Sequence, residues 1–91
     1  MIVKVEKSFA RDVNKIRDKK ILQKIRNLIS IVENSKSVYE IPHIKKIKGY
    51  NTFYRIKVGE HRLGLEEIPG QTISFIRFLH RKEIYRYFPN R

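Results

Sequence analysis

The stretch YRIKVGEHRLG, residues 54–64, alternates apolar and polar positions on both sides of its central glycine. A period of two is typical of a strand with one buried face, and a two-residue connection that begins with glycine closes an antiparallel hairpin. In such a hairpin Lys57 lies opposite Arg62 and Arg55 lies opposite Gly64, so three cations share one face. The other face is predicted to pack on the rest of the domain, and it carries Tyr54, Ile56, Leu63 and Leu65.

Three cations on one face of a hairpin repel one another. Directly opposed like charges destabilise a sheet by a few tenths to about 1 kcal/mol, so the arrangement suggests that a bound anion offsets the repulsion. A glycine inside a strand, as at Gly64, often marks a place where a ligand approaches the backbone. Basic residues on an outer sheet face are commonly solvated surface as well, and the alternation by itself leaves both interpretations open.

The segments that precede the hairpin predict one strand and two helices. Residues 2–6 alternate as a short strand does, and from Ser8 onward the apolar spacing becomes that of a helix. A break at residues 17–20 separates two amphipathic helices, and Asp18 is placed to cap the second. The apolar positions are Phe9, Val13 and Ile16 in the first helix and Ile21, Leu22, Ile25, Leu28, Ile29 and Val32 in the second.

The remaining segments predict a connector, a strand and a short helix. Residues 36–52 have no clean period and contain a proline and a glycine, as a connector does. A turn at residues 68–71 leads into an apolar strand at residues 72–79. In the tail, Ile84 and Phe88 are four residues apart, which is the spacing of one or two helical turns with both side chains turned inward.

These elements predict an α+β fold in a single domain that spans residues 1–91. An N-terminal strand and a helical hairpin pack on a twisted, mainly antiparallel sheet, and a short C-terminal helix comes last. Because both long helices are expected on one face, the other face of the sheet is predicted to be open.

The charge of the chain points to a polyanionic partner. Twenty-one Lys and Arg residues against nine Asp and Glu residues give a net charge of +12, and the cations occur in every segment. Nucleic acid, anionic lipid and an acidic protein would each satisfy this charge. The chain has no cysteine, its three histidines lack the spacing of a metal pair, and it shows no transmembrane run or signal peptide. We therefore expect a cytoplasmic protein with no metal, no cofactor and no membrane partner.

Further cations fall near the hairpin in the predicted fold. Arg77 and Arg81 share parity on the last strand, and Arg81 stands at its end. If the tail is helical, Tyr85 lies on the same side as Arg81, four residues away. Arg55, Lys57, Arg62 and Arg81 with an aromatic ring nearby would suit a phosphate flanked by a stacked base.

Nearly end to end, the chain resembles the RelE branch of the RelE/ParE toxin superfamily, the toxic halves of type II toxin–antitoxin pairs. The resemblance rests on the order and spacing of the opening strand, the helical hairpin, KKIKGY, YRIKVGEHRLG and LHRKEIYRYFP. It is strongest to members of the archaeal and thermophile type. It implies a ribosome-dependent endoribonuclease that cuts mRNA in the ribosomal A site without metal and is silenced by a RelB-type antitoxin.

The resemblance also implies which residues carry the activity. Its catalytic positions match Arg55, Lys57, Arg62 and Arg81, and the tyrosine of its tail matches Tyr85 through the sequence EIY. The spacing between the last arginine and the tail tyrosine is shorter here than in the family, so Tyr87 is the alternative stacking ring.

Cleavage of this kind needs a base for the ribose 2′-hydroxyl, and a lysine with its ordinary pKa of about 10.4 is almost wholly protonated at neutral pH. Arg55 and Arg62 are expected to lower the pKa of Lys57 toward a useful range and to hold the transition state. Arg81 would stabilise the leaving oxygen and Tyr85 would stack on a base.

A second set of residues is expected to contact RNA or the ribosome rather than to do chemistry: Lys45, Lys46, Lys48, Arg77 and His80. Two other functions remain open from the sequence. One is a ParE-like inhibitor of DNA gyrase with the same fold, although that branch generally lacks the basic trio with its terminal arginine. The other is a non-catalytic module that binds RNA or the ribosome, for which the charge alone would suffice.

Overall fold

The computed structural model describes residues 1–89 of the chain. One five-stranded sheet organises them. The strand order is β1-β5-β4-β3-β2, with β1 parallel to β5 and every other pair antiparallel. The elements are β1 (Ile2–Val5), α1 (Lys7–Asn14), α2 (Lys19–Glu33), a 3-10 turn (Val38–Glu40), β2 (Ile44–Lys46), β3 (Phe53–Val58), β4 (His61–Ile68), β5 (Thr72–His80) and α3 (Ile84–Tyr87).

The hairpin of β3 and β4 has the predicted register. Lys57 pairs with Arg62 and Arg55 pairs with Gly64. Gly59 takes a left-handed φ of 59°, which a side chain at this turn position would disfavour. The cations of the two strands therefore share the face that points away from the helices.

The opposite face of the hairpin packs on α1 and α2, as the apolar pattern predicts. Asp18 caps α2 by accepting a hydrogen bond of 2.8 Å from the backbone N–H of Lys20. The core between the helices and the sheet contains Phe9, Ile25, Leu28, Val32, Tyr54, Ile56, Val58, Leu63, Leu65, Ile73, Phe75 and Phe78.

The connector prediction for residues 36–52 was wrong at β2. This three-residue strand pairs with β3, so that Lys45 lies opposite Arg55 and Lys46 lies opposite Tyr54. Three residues are too few to show a period of two, and the pairing comes from the neighbouring strand rather than from a local pattern.

The outer face of the sheet is also less open than expected. α3 and the residue after it fold back over this face, where Ile84 and Phe88 form a second buried cluster with Ile76. The inward orientation predicted for Ile84 and Phe88 is thus confirmed. The flanking apolar residues of this cluster are Ile47, Phe53 and Leu79.

A β-bulge in β5 changes which of its side chains face the helices. Gly64 pairs with Arg77 and Leu65 pairs with Phe75, so one extra residue stands in β5 at this point. Because of the bulge, Phe75 and Phe78 both reach the helical core although they are three residues apart. A pattern of strict alternation could not have predicted that pair.

The ion pair of Asp12 and Arg77 fastens α1 to β5 beyond the end of β1. Arg77 donates to both carboxylate oxygens of Asp12, at 2.8 and 3.1 Å, and the backbone N–H of Phe78 donates to the same carboxylate at 2.9 Å. Asp12 is buried, whereas the side chain of Arg77 keeps 24% exposure. The carboxylate thus satisfies a strand N–H that has no neighbouring strand there.

Replacing Asp12 should destabilise the fold strongly. Asp12→Ala leaves the guanidinium of Arg77 and the N–H of Phe78 without their acceptor, and we expect a loss of about 3 kcal/mol in the free energy of unfolding. Urea unfolding measures this loss. Asp18→Ala is the matched control and should cost only about 1 kcal/mol as an exposed helix cap. Equal losses for the two variants would contradict a special role for the Asp12 pair.

Candidate nucleic-acid interface and active site

A basic groove lies between β2, β3 and α3. It has a volume of about 330 Å³. The strands supply its cations because β2 and β3 are neighbours, and the fold-back of the tail supplies its aromatic ring. The basic groove is defined by its lining residues, Lys45, Lys46, Ile47, Lys48, Arg55 and Tyr85.

Lys57 and Arg62 continue the cationic surface from the groove toward the hairpin turn. Lys57 comes two positions after Arg55 on the same face of β3, and Arg62 faces Lys57 across the strand pair. Lys57 is exposed, and Arg62 is half-buried. Arg62 donates to the carbonyl oxygens of Gly59 and His61, at 3.0 and 2.9 Å, so its guanidinium is held against the turn.

Arg81 joins this surface through the hairpin turn. Its backbone N–H donates to the carbonyl of Glu60 at 2.8 Å, and its Nε lies 2.8 Å from a carboxylate oxygen of the same residue. Both side chains of this pair are exposed, at 55% and 67%. Arg81 is therefore held at the hairpin turn that joins β3 and β4, although it follows β5 in the chain.

The second set of predicted residues is distributed over several places. Lys45 shares the face of Arg55, whereas the amine of Lys46 lies 5.7 Å from the centre of the Tyr54 ring. Arg77 is bound to Asp12, so its guanidinium has a structural partner. Lys48 lines the basic groove.

Both tyrosines of the tail are exposed, but they have different neighbours. Tyr85 lines the basic groove with Arg55 and is 56% exposed. Tyr87 stacks with the guanidinium of Arg77, whose carbon lies 5.2 Å from the ring centre. Of the two rings, Tyr85 is the one that lies beside Arg55 of the predicted catalytic set, whereas Tyr87 lies beside Arg77 of the second set.

Two neighbours of the site were missed by sequence reasoning. The sequence marks Glu60 only as the second residue of the predicted two-residue turn, yet its carboxylate binds Arg81. His43 has a left-handed φ of 63°, and its carbonyl accepts a hydrogen bond of 3.3 Å from Arg55. The acidic residue in the Gly-Glu turn was a visible signal for the first contact, whereas no sequence signal marks the second.

His61 and His80 are cross-strand partners at the same end of the sheet. The ring of His61 stacks on Phe78, with centres 5.0 Å apart and planes within 3°. Its Nδ1 is buried and has no hydrogen-bond partner. His80 is 6.0 Å from His61, and its Nδ1 accepts a hydrogen bond from the backbone N–H of Lys82.

Burial, and next the proximity of His80, lower the pKa of His61 below its usual value, although the carboxylates of Asp18 and Glu60 act in the opposite direction. The neutral imidazole is therefore the form that the fold favours. This histidine belongs to the packing of the sheet end.

Residues 1–89 contain neither a metal-binding cluster nor a membrane-spanning helix. No group of three or more His, Cys, Asp or Glu side chains in this range is arranged to hold a metal ion. None of the helices in the same range is long and apolar enough to cross a membrane.

Comparisons with known proteins show the family to which the chain belongs. Residues 3–85 match the family described as the ParE toxin of type II toxin–antitoxin systems. Toxin RelE3 of Methanocaldococcus jannaschii is 44% identical over 90 residues, which cover 98% of this chain and all of that toxin. The chain therefore belongs to the RelE/ParE family of toxins from type II toxin–antitoxin systems, and this confirms the resemblance seen in the sequence.

Solved structures of relatives show the same fold. The crystal structure of the RelB–RelE antitoxin–toxin complex from Methanococcus jannaschii superposes with a TM-score of 0.78 at 43% identity, over 94% of this chain and 99% of that one. The archaeal RelE–RelB complex from Pyrococcus horikoshii gives a TM-score of 0.74 at 17% identity, over 91% and 97% of the two chains. The α+β prediction is thereby confirmed.

Because the pKa of His61 is lowered in the folded chain, the free energy of unfolding should depend on pH. The unfolded chain binds a proton at His61 near pH 6.5, whereas the folded chain binds it only at lower pH because the pKa of His61 is lowered. The unfolded state then holds more protons in this window, so stability is retained above about pH 6.5 and lost as the pH falls further.

His61→Phe keeps a ring on Phe78 and removes this titration, so its unfolding free energy should fall less than that of the wild type between about pH 7.5 and pH 5. His80→Gln should have a smaller effect in the same direction because it removes only one of the causes. Urea unfolding at both pH values checks this, and identical losses in His61→Phe and wild type would refute it.

Proposed function

We propose that the chain is a toxin that enters the ribosome and cuts mRNA in the A site, and so stops translation in the cytoplasm. The observation that supports this most directly is that Arg55, Lys57 and Arg62 share one sheet face, with Tyr85 beside Arg55 and with Arg81 held at the hairpin turn by Glu60. Cations at this density bind phosphate, and an exposed ring beside them can stack on a base. Lys45, Lys46 and Lys48 would contact the RNA backbone next to this centre.

The reaction would be attack of a ribose 2′-oxygen on the adjacent phosphorus, which breaks the bond to the 5′-oxygen. The products are a 2′,3′-cyclic phosphate and a 5′-hydroxyl end. The amine of Lys57, in its neutral form, would take the proton of the 2′-hydroxyl. Arg55 and Arg62 would hold the charge that develops on the phosphate oxygens, since guanidinium groups bind phosphate in a fixed geometry.

Arg81 would stabilise the charge on the leaving 5′-oxygen, which would take a proton from water to become the 5′-hydroxyl. The proton accepted by Lys57 would return to solvent. Guanidinium groups are not deprotonated in proteins, so the part of Arg81 would be electrostatic stabilisation rather than proton donation. The exposed pair with Glu60 can open at small cost because such pairs contribute only about 0–1 kcal/mol. A phosphate that enters the site would thus compete with Glu60 for Arg81.

A pair of Lys57 variants separates catalysis from binding. Lys57→Arg keeps the positive charge but cannot accept a proton, so cleavage should fall by about 10²–10⁴-fold while ribosome binding is retained. Lys57→Ala should lose cleavage to a similar extent and also weaken binding by about one phosphate contact. The measurement is primer extension on ribosomes that carry a defined mRNA, with naked RNA in parallel.

The control is Lys20→Ala, which removes one positive charge from an exposed position on α2. It should cut like the wild type. Wild-type cleavage by Lys57→Arg would overturn the role of Lys57 as base. Ribosome binding by the intact protein without any cut would replace the nuclease by a binding module.

A second candidate function comes from the family description, which names the ParE toxin. A gyrase inhibitor would bind its target through the same fold and cut nothing. The cationic centre supports the nuclease over this candidate. Supercoiling by purified gyrase in the presence of the chain separates the two, since only the inhibitor would reduce it.

A RelB-type antitoxin would be the partner that silences the toxin. Two related toxins of archaea were solved in complex with RelB. In this chain an apolar groove of about 330 Å³ runs between α1 and α2, beside the exposed Val5 of β1. An amphipathic antitoxin helix with acidic residues would fit both this groove and the net charge of +12.

Amide exchange of the complex tests where the antitoxin binds. Addition of the RelB-type partner should slow exchange in β1, α1 and α2, because a bound helix covers the groove and its surroundings. Mass spectrometry of peptides from the free and bound chain measures this. Unchanged exchange in all three elements, with a complex formed, would contradict the proposed surface.

A further inference from the structure

We propose that Phe88 and Gly64 are positioning residues that hold Tyr85 in the basic groove. The proposal deepens the proposed function and rests on it for the catalytic consequence. The tail reaches the groove only because it folds back over the outer face of the sheet. A side chain that fixes the fold-back therefore also fixes the ring beside Arg55.

The ring of Phe88 lies directly on the backbone of Gly64. A Cβ added to Gly64 would stand 2.7 Å from the Cγ and Cδ2 atoms and 2.8 Å from the Cδ1 atom of that ring. Real Cβ atoms are not found this close to a neighbour, and Cγ is the root of the ring rather than a mobile end. Gly64 is thus the seat of Phe88, which replaces the expectation that a ligand approaches the backbone there.

The surroundings show that the seat is a fixed contact. Phe88 is 1% exposed, and its ring meets the Phe53 ring edge to face at 5.6 Å. Ile84, which is fully buried, anchors the other end of α3 in the same cluster. The backbone N–H of Phe88 donates to the carbonyl of Ile84 at 2.9 Å and closes the turn between the two anchors.

Tyr85 stands inside this turn, directly after Ile84. The residue is 56% exposed, and nothing in residues 1–89 encloses it as the core encloses Ile84 and Phe88. Its position beside Arg55 is therefore set by the two anchors on either side of it. Loss of one anchor should leave a folded domain whose Tyr85 ring no longer faces the groove.

Gly64→Ala is the direct test. Gly64 has no left-handed φ, so alanine suits its backbone, and alanine is the better residue in a strand. The variant should nevertheless displace Phe88 and lower the kcat of cleavage by about tenfold or more, since small misplacements of positioning groups cost this much. Its KM should change less than its kcat.

The matched variants use the same seat. Phe88→Leu offers a smaller apolar anchor, so Gly64→Ala/Phe88→Leu should recover most of the kcat that Gly64→Ala loses. In a Tyr85→Ala background, Gly64→Ala should reduce cleavage no further, because the ring it acts through is already absent. Recovery by Phe88→Leu distinguishes a seat from a general loss of folding.

A second readout does not depend on cleavage. The chain is labelled with fluorotyrosine, and the resonance of Tyr85 is assigned by its absence in Tyr85→Phe. Gly64→Ala should shift or broaden this resonance, and Gly64→Ala/Phe88→Leu should move it back toward its wild-type position. A wild-type chain that cuts no RNA would overturn the proposed nuclease but leave this resonance as the test of the positioning.

The proposal fails if Gly64→Ala leaves the Tyr85 resonance and the kcat unchanged. It also fails if Gly64→Ala lowers the kcat as much in the Tyr85→Ala background as in the wild type. If Gly64→Ala does not fold, Phe88→Ala takes its place, because it empties the seat from the other side. A wild-type Tyr85 resonance with an unchanged kcat in Phe88→Ala would then refute the anchor.

Discussion

Burial of one face of the β3–β4 hairpin is the constraint on which the site depends. Ile56, Leu63 and Leu65 are at most 1% exposed, and each such side chain contributes about 1.5–3 kcal/mol when it leaves water. The repulsion between opposed cations on the other face costs at most about 1 kcal/mol. Burial therefore decides the register, and the register forces Arg55, Lys57 and Arg62 onto one surface. A bound anion would offset the repulsion between these cations.

The two arginines of β5 and its end show how similar ion pairs serve different purposes. Arg77 binds the buried Asp12 through two hydrogen bonds, so opening that pair would leave charges in a poorly solvated place. Arg81 binds Glu60 where both partners are largely exposed, and such a pair opens at small cost. The first pair holds α1 against β5, and the second leaves Arg81 able to exchange its partner, as the proposed binding of a phosphate would require.

The outer face of the sheet is shared between packing and the site. The tail covers one part of it with Ile84 and Phe88, and the cations occupy the part that the tail leaves uncovered. This division explains why position 64 is a glycine. From the sequence, a glycine inside a strand could make room either for a ligand or for a packed side chain. A ligand and a packed ring both need bare backbone, and only the folded chain shows that the ring of Phe88 takes the space.

The sequence by itself determined the hairpin, its register, the two helices, the Asp18 cap and the inward side of the tail, because each of these depends on a local period or a local turn. It also determined which cations share a face. Tertiary structure decided the β2 pairing, the bulge between Phe75 and Arg77, the Glu60–Arg81 contact and the meeting of Tyr85 with Arg55. Each of these joins residues far apart in the chain, and a period read along one segment carries no information about which distant segment will lie beside it.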